Sequence, residues 1–190
     1  MGKSIYIEHV REFMKNTIVF RAKDVEILTK NRRYGHLLLH KLVERNEIKR
    51  VVKGWYSVYD DPMVAVFCFK PAYVGLQEAL SLHGLWEQET NVIIITTLKA
   101  RTGVRKVFES NTILHRIDLK YFFGYDYLKY GNFFIPVSDI EKTLIDLIYF
   151  NEIPDEEVVL EIKKKMNKQK LYNYLRRLPV KIRTRVKNII

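Results

Sequence analysis

The sequence has little of the chemistry that builds disulfides, metal clusters or phosphate-binding loops. A single cysteine, Cys68, excludes an intramolecular disulfide framework and a cysteine-rich zinc site. The eight glycines are scattered singly along the chain, so no glycine-rich loop could hold a nucleotide phosphate. We therefore expect no cofactor and no bound metal.

Long uncharged runs are also missing. No stretch of 18 residues lacks a charge, and the longest apolar run, Met63–Phe69, has only the length of a strand. The first four residues include a lysine but no apolar segment follows, so a secretory signal peptide is not expected. These absences predict a cytoplasmic protein without a membrane partner.

Acidic residues are outnumbered in this chain of 190 residues, where 33 Lys and Arg against 22 Asp and Glu give a net charge of +11. The excess is uneven: residues 1–58 carry +7, residues 59–150 carry −2 and residues 151–190 carry +6. Basic ends around a near-neutral middle indicate an anionic partner such as nucleic acid. The lysine-rich surface of a thermophilic protein would also be basic.

Apolar spacing predicts the plan of a winged helix-turn-helix for residues 1–60. Helical periodicity runs up to Lys15, and two further helices are predicted over Lys23–Thr29 and Arg32–Arg45. A short strand or extended segment, Ile18–Phe20, separates the first two helices. Two β-rich runs on either side of Lys53-Gly54 predict a hairpin after the third helix.

The third predicted helix has one apolar and one polar face. Leu38, Leu39, Leu42 and Val43 share the apolar face, where Gly35 would let another helix cross closely. We expect the opposite face to enter the major groove and the hairpin to contact phosphates. The predicted DNA-binding residues are Arg32, Arg33, Tyr34, Leu37, His40 and Lys41 of the helix and Lys49, Arg50, Lys53 and Trp55 of the hairpin.

Other interpretations of this segment remain open. Winged helices also serve as protein-interaction modules, and Arg33 and Lys41 could form an ordinary solvated face. Tyr34 or Leu37 could equally form a dimer contact. His36 and His40 have the i, i+4 spacing of metal ligands, but no third ligand lies nearby in the sequence.

Residues 61–190 predict a mixed α/β domain that ends in a helical tail. Asp60-Asp61-Pro62 marks the boundary, because acidic residues before proline favour a turn. Ser138 and Glu141 have the spacing of a capping box and predict the start of a helix that ends at Phe150. The other predicted elements are a helix over Pro71–His83 ended by Gly84, strands over Asn91–Leu98, Ile113–Leu119 and Phe133–Val137, and tail helices over Asp155–Met166, Lys168–Leu178 and Val180–Ile190. The predicted fold class is therefore α+β, with a winged helix-turn-helix followed by this domain.

Two arrangements that imitate enzyme motifs fail on geometry. Asp155 and Glu161 with Lys163 imitate a nuclease signature, but the two carboxylates lie on one predicted helix, about 120° apart around its axis. Ser81 and His83 are two residues apart on a helix and cannot face each other. We therefore expect that the protein is not an enzyme.

Several short motifs resemble one protein family in order and spacing. They are Leu39-x-x-Leu42-Val43, Ile48-x-Arg50, Lys53-Gly54-Trp55-Tyr56, Glu78–Leu85, Ile135–Ser138 and Glu141–Asp146. Between about Phe13 and Phe150 the chain resembles the AbiEi-like antitoxins of AbiE-type toxin–antitoxin systems, regulators of viral defence.

The resemblance implies a non-enzymatic repressor that binds inverted repeats of double-stranded DNA in its own promoter. It also implies that the second domain counters a nucleotidyltransferase-like toxin, although a stand-alone regulator would share these motifs. The basic tail is predicted to bind an acidic surface or RNA, and an ordinary solvated helical face is an equal alternative. The predicted partner-binding residues are Lys163, Lys164, Lys168, Arg176, Arg177 and Arg183.

Overall fold

The computed structural model describes residues 2–190, with side chains from Tyr6 onward, and has a mixed α+β fold. The chain divides into two compact units, Met1–Phe69 with Lys106–Ser110 and Lys70–Arg105 with Asn111–Ile190. The division falls after the predicted boundary at residue 61, because Pro62–Phe69 belongs to the first unit. Within residues 2–190, no helix combines the length and apolar character needed to cross a membrane.

Three helices and a small antiparallel sheet make up the first unit. In chain order they are α1 (Gly2–Lys15), β1 (Phe20–Arg21), α2 (Ala22–Thr29), α3 (Arg32–Glu44), β2 (Lys49–Val52) and β3 (Trp55–Ser57), followed by a 3-10 helix over Pro62–Phe69. The strand order is β1-β3-β2. The apolar run Met63–Phe69, which has the length of a strand, lies within this 3-10 helix. Met63 to Cys68 are all buried, so the run has no alternation of buried and exposed residues that could distinguish a strand from a helix.

Phe20 lies in the centre of the first unit's core. Its ring is 1% exposed and packs between Phe13, at 6.0 Å, and Tyr56, at 6.1 Å. The predicted apolar face of α3 is confirmed for Leu38, Leu39 and Leu42, which are buried. Val43 is 37% exposed, because it lies about 100° from Leu42, at the margin of that face.

Helix α3 is fixed at its start and crossed closely by α2. Asn31 Oδ1 accepts a hydrogen bond from the backbone N–H of Tyr34 at 3.0 Å, so the predicted cap is confirmed. A Cβ atom on Gly35 would lie 3.1 Å from Glu26 Cα and 3.1 Å from Thr29 Oγ1. The absence of a side chain at Gly35 therefore permits the approach of the two helices, as predicted.

A six-stranded mixed sheet and five helices lie in the remaining described part of the chain. The elements are β4 (Ala72–Val74), α4 (Leu76–Leu82), β5 (Val92–Thr96), β6 (Gly103–Val107), β7 (Ser110–Arg116), β8 (Tyr125–Tyr130), β9 (Phe133–Ser138), α5 (Ile140–Phe150), α6 (Glu156–Lys165), α7 (Lys168–Leu175) and α8 (Val180–Ile189), with a 3-10 turn over Leu119–Tyr121. The sheet order is β6-β7-β5-β4-β9-β8. Strands β4 and β9 pair in parallel, as do β5 and β7, whereas β4–β5 and β8–β9 are antiparallel.

The helix predicted over Pro71–His83 begins later than expected. Tyr73 pairs with Ile95 in the sheet, so the first part of this segment is strand β4. Gly75 follows this strand, and the helix starts at the next residue. A Cβ atom on Gly75 would clash with Ile95, because it would lie 2.4 Å from Cδ1. Its predicted end is confirmed, since Gly84 has a positive φ of 64° after the last turn.

Asp139, and not Ser138, caps α5. Asp139 Oδ1 accepts the backbone N–H of Lys142 at 2.7 Å, whereas the Ser138 hydroxyl lies 2.7 Å from the Thr143 hydroxyl. The predicted capping box is therefore wrong, because each side chain involved has another partner. Glu141 Oε1 instead accepts the backbone N–H of Asn167 at 2.5 Å, at the start of α7.

The same end of α5 holds α7 through side chains. Asp139 Oδ2 accepts a hydrogen bond from the Tyr174 hydroxyl at 2.7 Å and lies 3.0 Å from Lys170 Nζ. Burial, together with the hydrogen bond to this carboxylate, raises the pKa of Tyr174 well above its ordinary value. Asp139 and Glu141, of which only Glu141 was predicted to take part in the cap, thus join the start of α5 to the helical tail.

A buried ionic triad joins α5 to β4. Lys142 Nζ forms an ion pair with Asp146 Oδ1 and donates a hydrogen bond to the Tyr73 hydroxyl at 2.9 Å. The Tyr73 hydroxyl donates to Asp146 Oδ2 at 2.8 Å. Burial raises the pKa of Asp146 and lowers the pKa of Lys142, and each charge opposes the shift of the other.

Removing one member of this triad should be costly. Asp146→Ala leaves a buried ammonium without its counter-ion, and we expect the free energy of unfolding to fall by about 3–5 kcal/mol. The double variant Lys142→Met/Asp146→Leu should recover most of that loss. Urea unfolding of both variants measures the difference; a loss of under about 1 kcal/mol in the single variant contradicts the structural role of the triad.

Gly35→Ala should also destabilise the protein, although alanine is the better helix former. The new methyl group meets the backbone of α2, and we expect a loss of about 1–3 kcal/mol in thermal or urea unfolding. Lys41→Ala, at an exposed position of the same helix, serves as the control and should change stability by less than about 0.5 kcal/mol. A neutral or stabilising Gly35→Ala would mean that the crossing of the two helices is loose.

Candidate nucleic-acid interface

The exposed side of α3 carries a stripe of two cations around a leucine. Arg33, Leu37 and Lys41 follow each other at four-residue spacing, which places them one above the other on the helix. All three are exposed, and Leu37 has 52% of its surface accessible. In the described part of the chain, neither cation of this stripe forms an ion pair.

The structure brings most of the predicted helix residues to this side. Arg32 and His40 are exposed together with the stripe. Tyr34 is half-buried and packs against the first unit's core, so its ring supports the helix more than it faces outward. Five of the six residues predicted on α3 thus lie on its solvent side.

The two histidines of α3 each face a different carboxylate. His36 Nε2 lies 2.8 Å from Glu26 Oε1, and His40 Nδ1 lies 3.3 Å from Glu44 Oε1. Among residues 2–190, no group of three His, Cys, Asp or Glu side chains has an arrangement that could hold a metal ion. His36 thus faces a carboxylate of α2, and His40 faces one of its own helix.

An open cavity of about 550 Å³ lies at the start of α3. Lys30, exposed at the end of α2, and Arg33 line it together with the apolar side chain of Leu37. The remaining lining residues are Tyr6, Thr29, Asn31 and Tyr34. Lys30 was not predicted as a DNA-binding residue, because it lies in the turn before α3. It adds a cation at the end of the stripe.

The hairpin presents fewer free cations than predicted. Arg50 and Lys53 are exposed, and Lys53 stands in a two-residue turn with Gly54, whose φ of +82° suits glycine. Lys49 forms an ion pair with Asp60 and lies 5.9 Å from the Phe108 ring. Because Asp60 neutralises its charge, Lys49 is a poor candidate for a phosphate contact.

Trp55 is half-buried and covered by a cation that sequence reasoning missed. The Arg21 guanidinium stands 4.4 Å from the centre of the Trp55 ring, a cation–π contact between β1 and β3. Trp55 therefore positions Arg21 on the surface of the small sheet. The pairing of β1 with β3 creates this contact. A strand of two residues is too short for its sequence to predict that pairing.

In the second unit, the predicted partner-binding cations have different surroundings. Lys164 pairs with Glu161 at 2.6 Å, and Arg183 is half-buried and donates to the Leu178 carbonyl at 3.1 Å. Arg177 stands over the Phe123 ring at 4.1 Å, and Lys163 is half-buried. The other two, Lys168 on α7 and Arg176 directly after it, are exposed and form no ion pair within residues 2–190.

Comparison with known proteins supports the fold alone. No protein-family model matches the chain, and no curated protein matches it. The structure is similar to the crystal structure of the RV2827C protein from Mycobacterium tuberculosis, with a TM-score of 0.61 and 11% sequence identity over 97% of this chain and 76% of that chain. At this identity the two proteins share a mixed α+β architecture, and the likeness says nothing of function.

Proposed function

We propose that the first unit is a winged helix-turn-helix and that the protein is a sequence-specific repressor that binds double-stranded DNA. The observation that carries this proposal is the exposed stripe of Arg33, Leu37 and Lys41 along α3. A helix with such a face fits the major groove, where arginine can bond to guanine and a leucine can contact the methyl group of thymine.

The surroundings of α3 support its role as the recognition helix. Its other face is buried through Leu38, Leu39 and Leu42, and α2 crosses it at Gly35, so the stripe is held on a rigid element. Lys30 adds a cation at the end of α3 that carries Arg33.

The hairpin would anchor the DNA backbone through two of the predicted residues. Lys53 at the tip and Arg50 on β2 are exposed cations, the side chains that neutralise phosphates. Arg21, held over Trp55, offers a third cation on the same small sheet. Lys49 is left out of this set because of its ion pair with Asp60.

From the family resemblance we further propose that the repressor acts on its own promoter and serves as the antitoxin of a nucleotidyltransferase-like toxin. Lys142 and Asp146, which carry part of that resemblance, are buried and would specify the fold instead of touching a toxin. Co-expression with the neighbouring gene tests this role: rescue of growth from a toxic neighbour supports it, and a harmless neighbour favours a stand-alone regulator.

A protein-interaction module is the second candidate function. Ile27 on α2 is 64% exposed and Leu37 on α3 is 52% exposed, and apolar side chains of this kind also occur at protein interfaces. A module of this class would not bind the duplex from upstream of its own gene at moderate salt.

Loss of the two stripe cations should weaken duplex binding strongly. We expect Arg33→Ala/Lys41→Ala to lower affinity for the upstream duplex by about 10- to 100-fold, because both a base contact and a phosphate contact disappear. Fluorescence anisotropy with a labelled duplex measures it. Lys99→Ala/Arg101→Ala removes the same charge from exposed positions of the second unit and should bind nearly as wild type; equal losses in both double variants contradict the recognition helix.

The two hairpin lysines form a matched pair for testing the phosphate anchor. Lys53→Ala should weaken all duplexes alike and reduce the slope of log affinity against log salt by about 1. Lys49→Ala should leave that slope unchanged, since Asp60 already neutralises its charge. Titrations at several salt concentrations give both slopes, and a reversed order of the two effects would show that the hairpin contacts are assigned wrongly.

A further inference from the structure

The last 29 residues carry the whole net charge of the protein. Residues 162–190 contain eleven Lys and Arg and no Asp or Glu, which equals the total of +11 for the chain. Residues 1–161 are therefore neutral in sum. Lys164 and Lys170 pair with carboxylates outside the segment, and the other cations of the segment favour an anionic partner.

The outward face of α7, continued by the residue that caps its end, has a cation–aromatic–cation stripe. Lys168, Tyr172 and Arg176 follow at four-residue spacing and are all exposed, with Tyr172 at 47%. Gln169 and Asn173, also exposed, lie beside them. The buried face of the same helix, through Leu171 and Leu175, packs into the core and fixes its orientation.

A small groove lies beside the aromatic ring. It has a volume of about 300 Å³, a floor of Met166, Leu171 and Ile190, and a lysine on each of its two helices, Lys168 of α7 and Lys187 of α8. An apolar floor next to a tyrosine ring and flanked by cations suits the planar face of a base with phosphates on either side.

We propose that this surface binds single-stranded nucleic acid, with a base stacked on Tyr172 and the backbone phosphates near Lys168 and Arg176. The exposed side chains of α7 are polar or aromatic, with no exposed aliphatic one. An accessible ring can stack only on an unpaired base, which favours a single strand over a duplex. This surface is independent of the DNA face proposed for α3.

The experiment is fluorescence anisotropy of the full chain with labelled 12-nucleotide oligo(U) RNA and oligo(dT) DNA. Tyr172→Ala should weaken binding by about 5- to 100-fold, the effect of losing one stacked base, whereas Tyr172→Phe should bind nearly as wild type. Lys168→Ala/Arg176→Ala should lower the slope of log affinity against log salt by about 1.4, which is two phosphate contacts to a single strand. Comparing the two oligonucleotides shows which of them the protein prefers.

Two controls separate this surface from general basicity. Tyr127→Ala removes an aromatic ring that is 60% exposed on β8, and Lys99→Ala/Arg101→Ala removes two exposed cations elsewhere in the second unit. Both should bind the oligonucleotides as wild type. Circular dichroism confirms that each variant is folded.

Three results would overturn the proposal. One is a folded Tyr172→Ala that binds like wild type, and another is an equal loss in the control variants. The third is competition by duplex DNA or polyglutamate as effective as that by an unlabelled single strand. The first result would show that no base stacks on Tyr172. The second would show that binding depends on total charge alone. The third would show that the tail binds a duplex or an acidic protein.

Discussion

The close crossing of α2 and α3 at Gly35 is the constraint on which the first unit depends. Because no side chain separates the helices there, Glu26 and Thr29 of α2 can approach the backbone of α3. The leucines of α3 then reach the core around Phe20, and Arg33, Leu37 and Lys41 on the opposite face are exposed. The exposed stripe of Arg33, Leu37 and Lys41 is thus a consequence of how the helix pair packs.

In the second unit, the first turns of α5 have the corresponding role. Asp139 caps the helix and also binds α7, while Lys142 and Asp146 connect it to Tyr73 of β4 with their polar groups paired. A buried ion pair of this kind adds little net stability. Removing either member alone is costly, because the other charge is then buried without a partner. Since α7 is held from its inner side, Lys168 on its outer side is exposed, whereas Lys170 pairs with Asp139.

Local patterns predicted the parts of the structure that depend on neighbours in sequence. The Asn31 cap, the apolar face of α3 and the turn at Gly54 each require only a few adjacent residues. Long-range partners decided the rest. Nothing near Glu141 indicates that it binds the start of α7, and nothing near Lys49 indicates its pairing with Asp60. The strand inside the predicted helix over Pro71–His83 exists because β5 and β9 lie on both sides of it.

The most direct test of the account is a nuclear magnetic resonance titration of the full chain with the duplex from upstream of its own gene. If α3 is the recognition helix, chemical-shift changes at low duplex ratios concentrate in residues 30–41 and in the hairpin around Lys53, with α7 unaffected. Changes confined to residues 162–190, with α3 unchanged while the duplex binds, would contradict the assignment of α3 as the recognition helix.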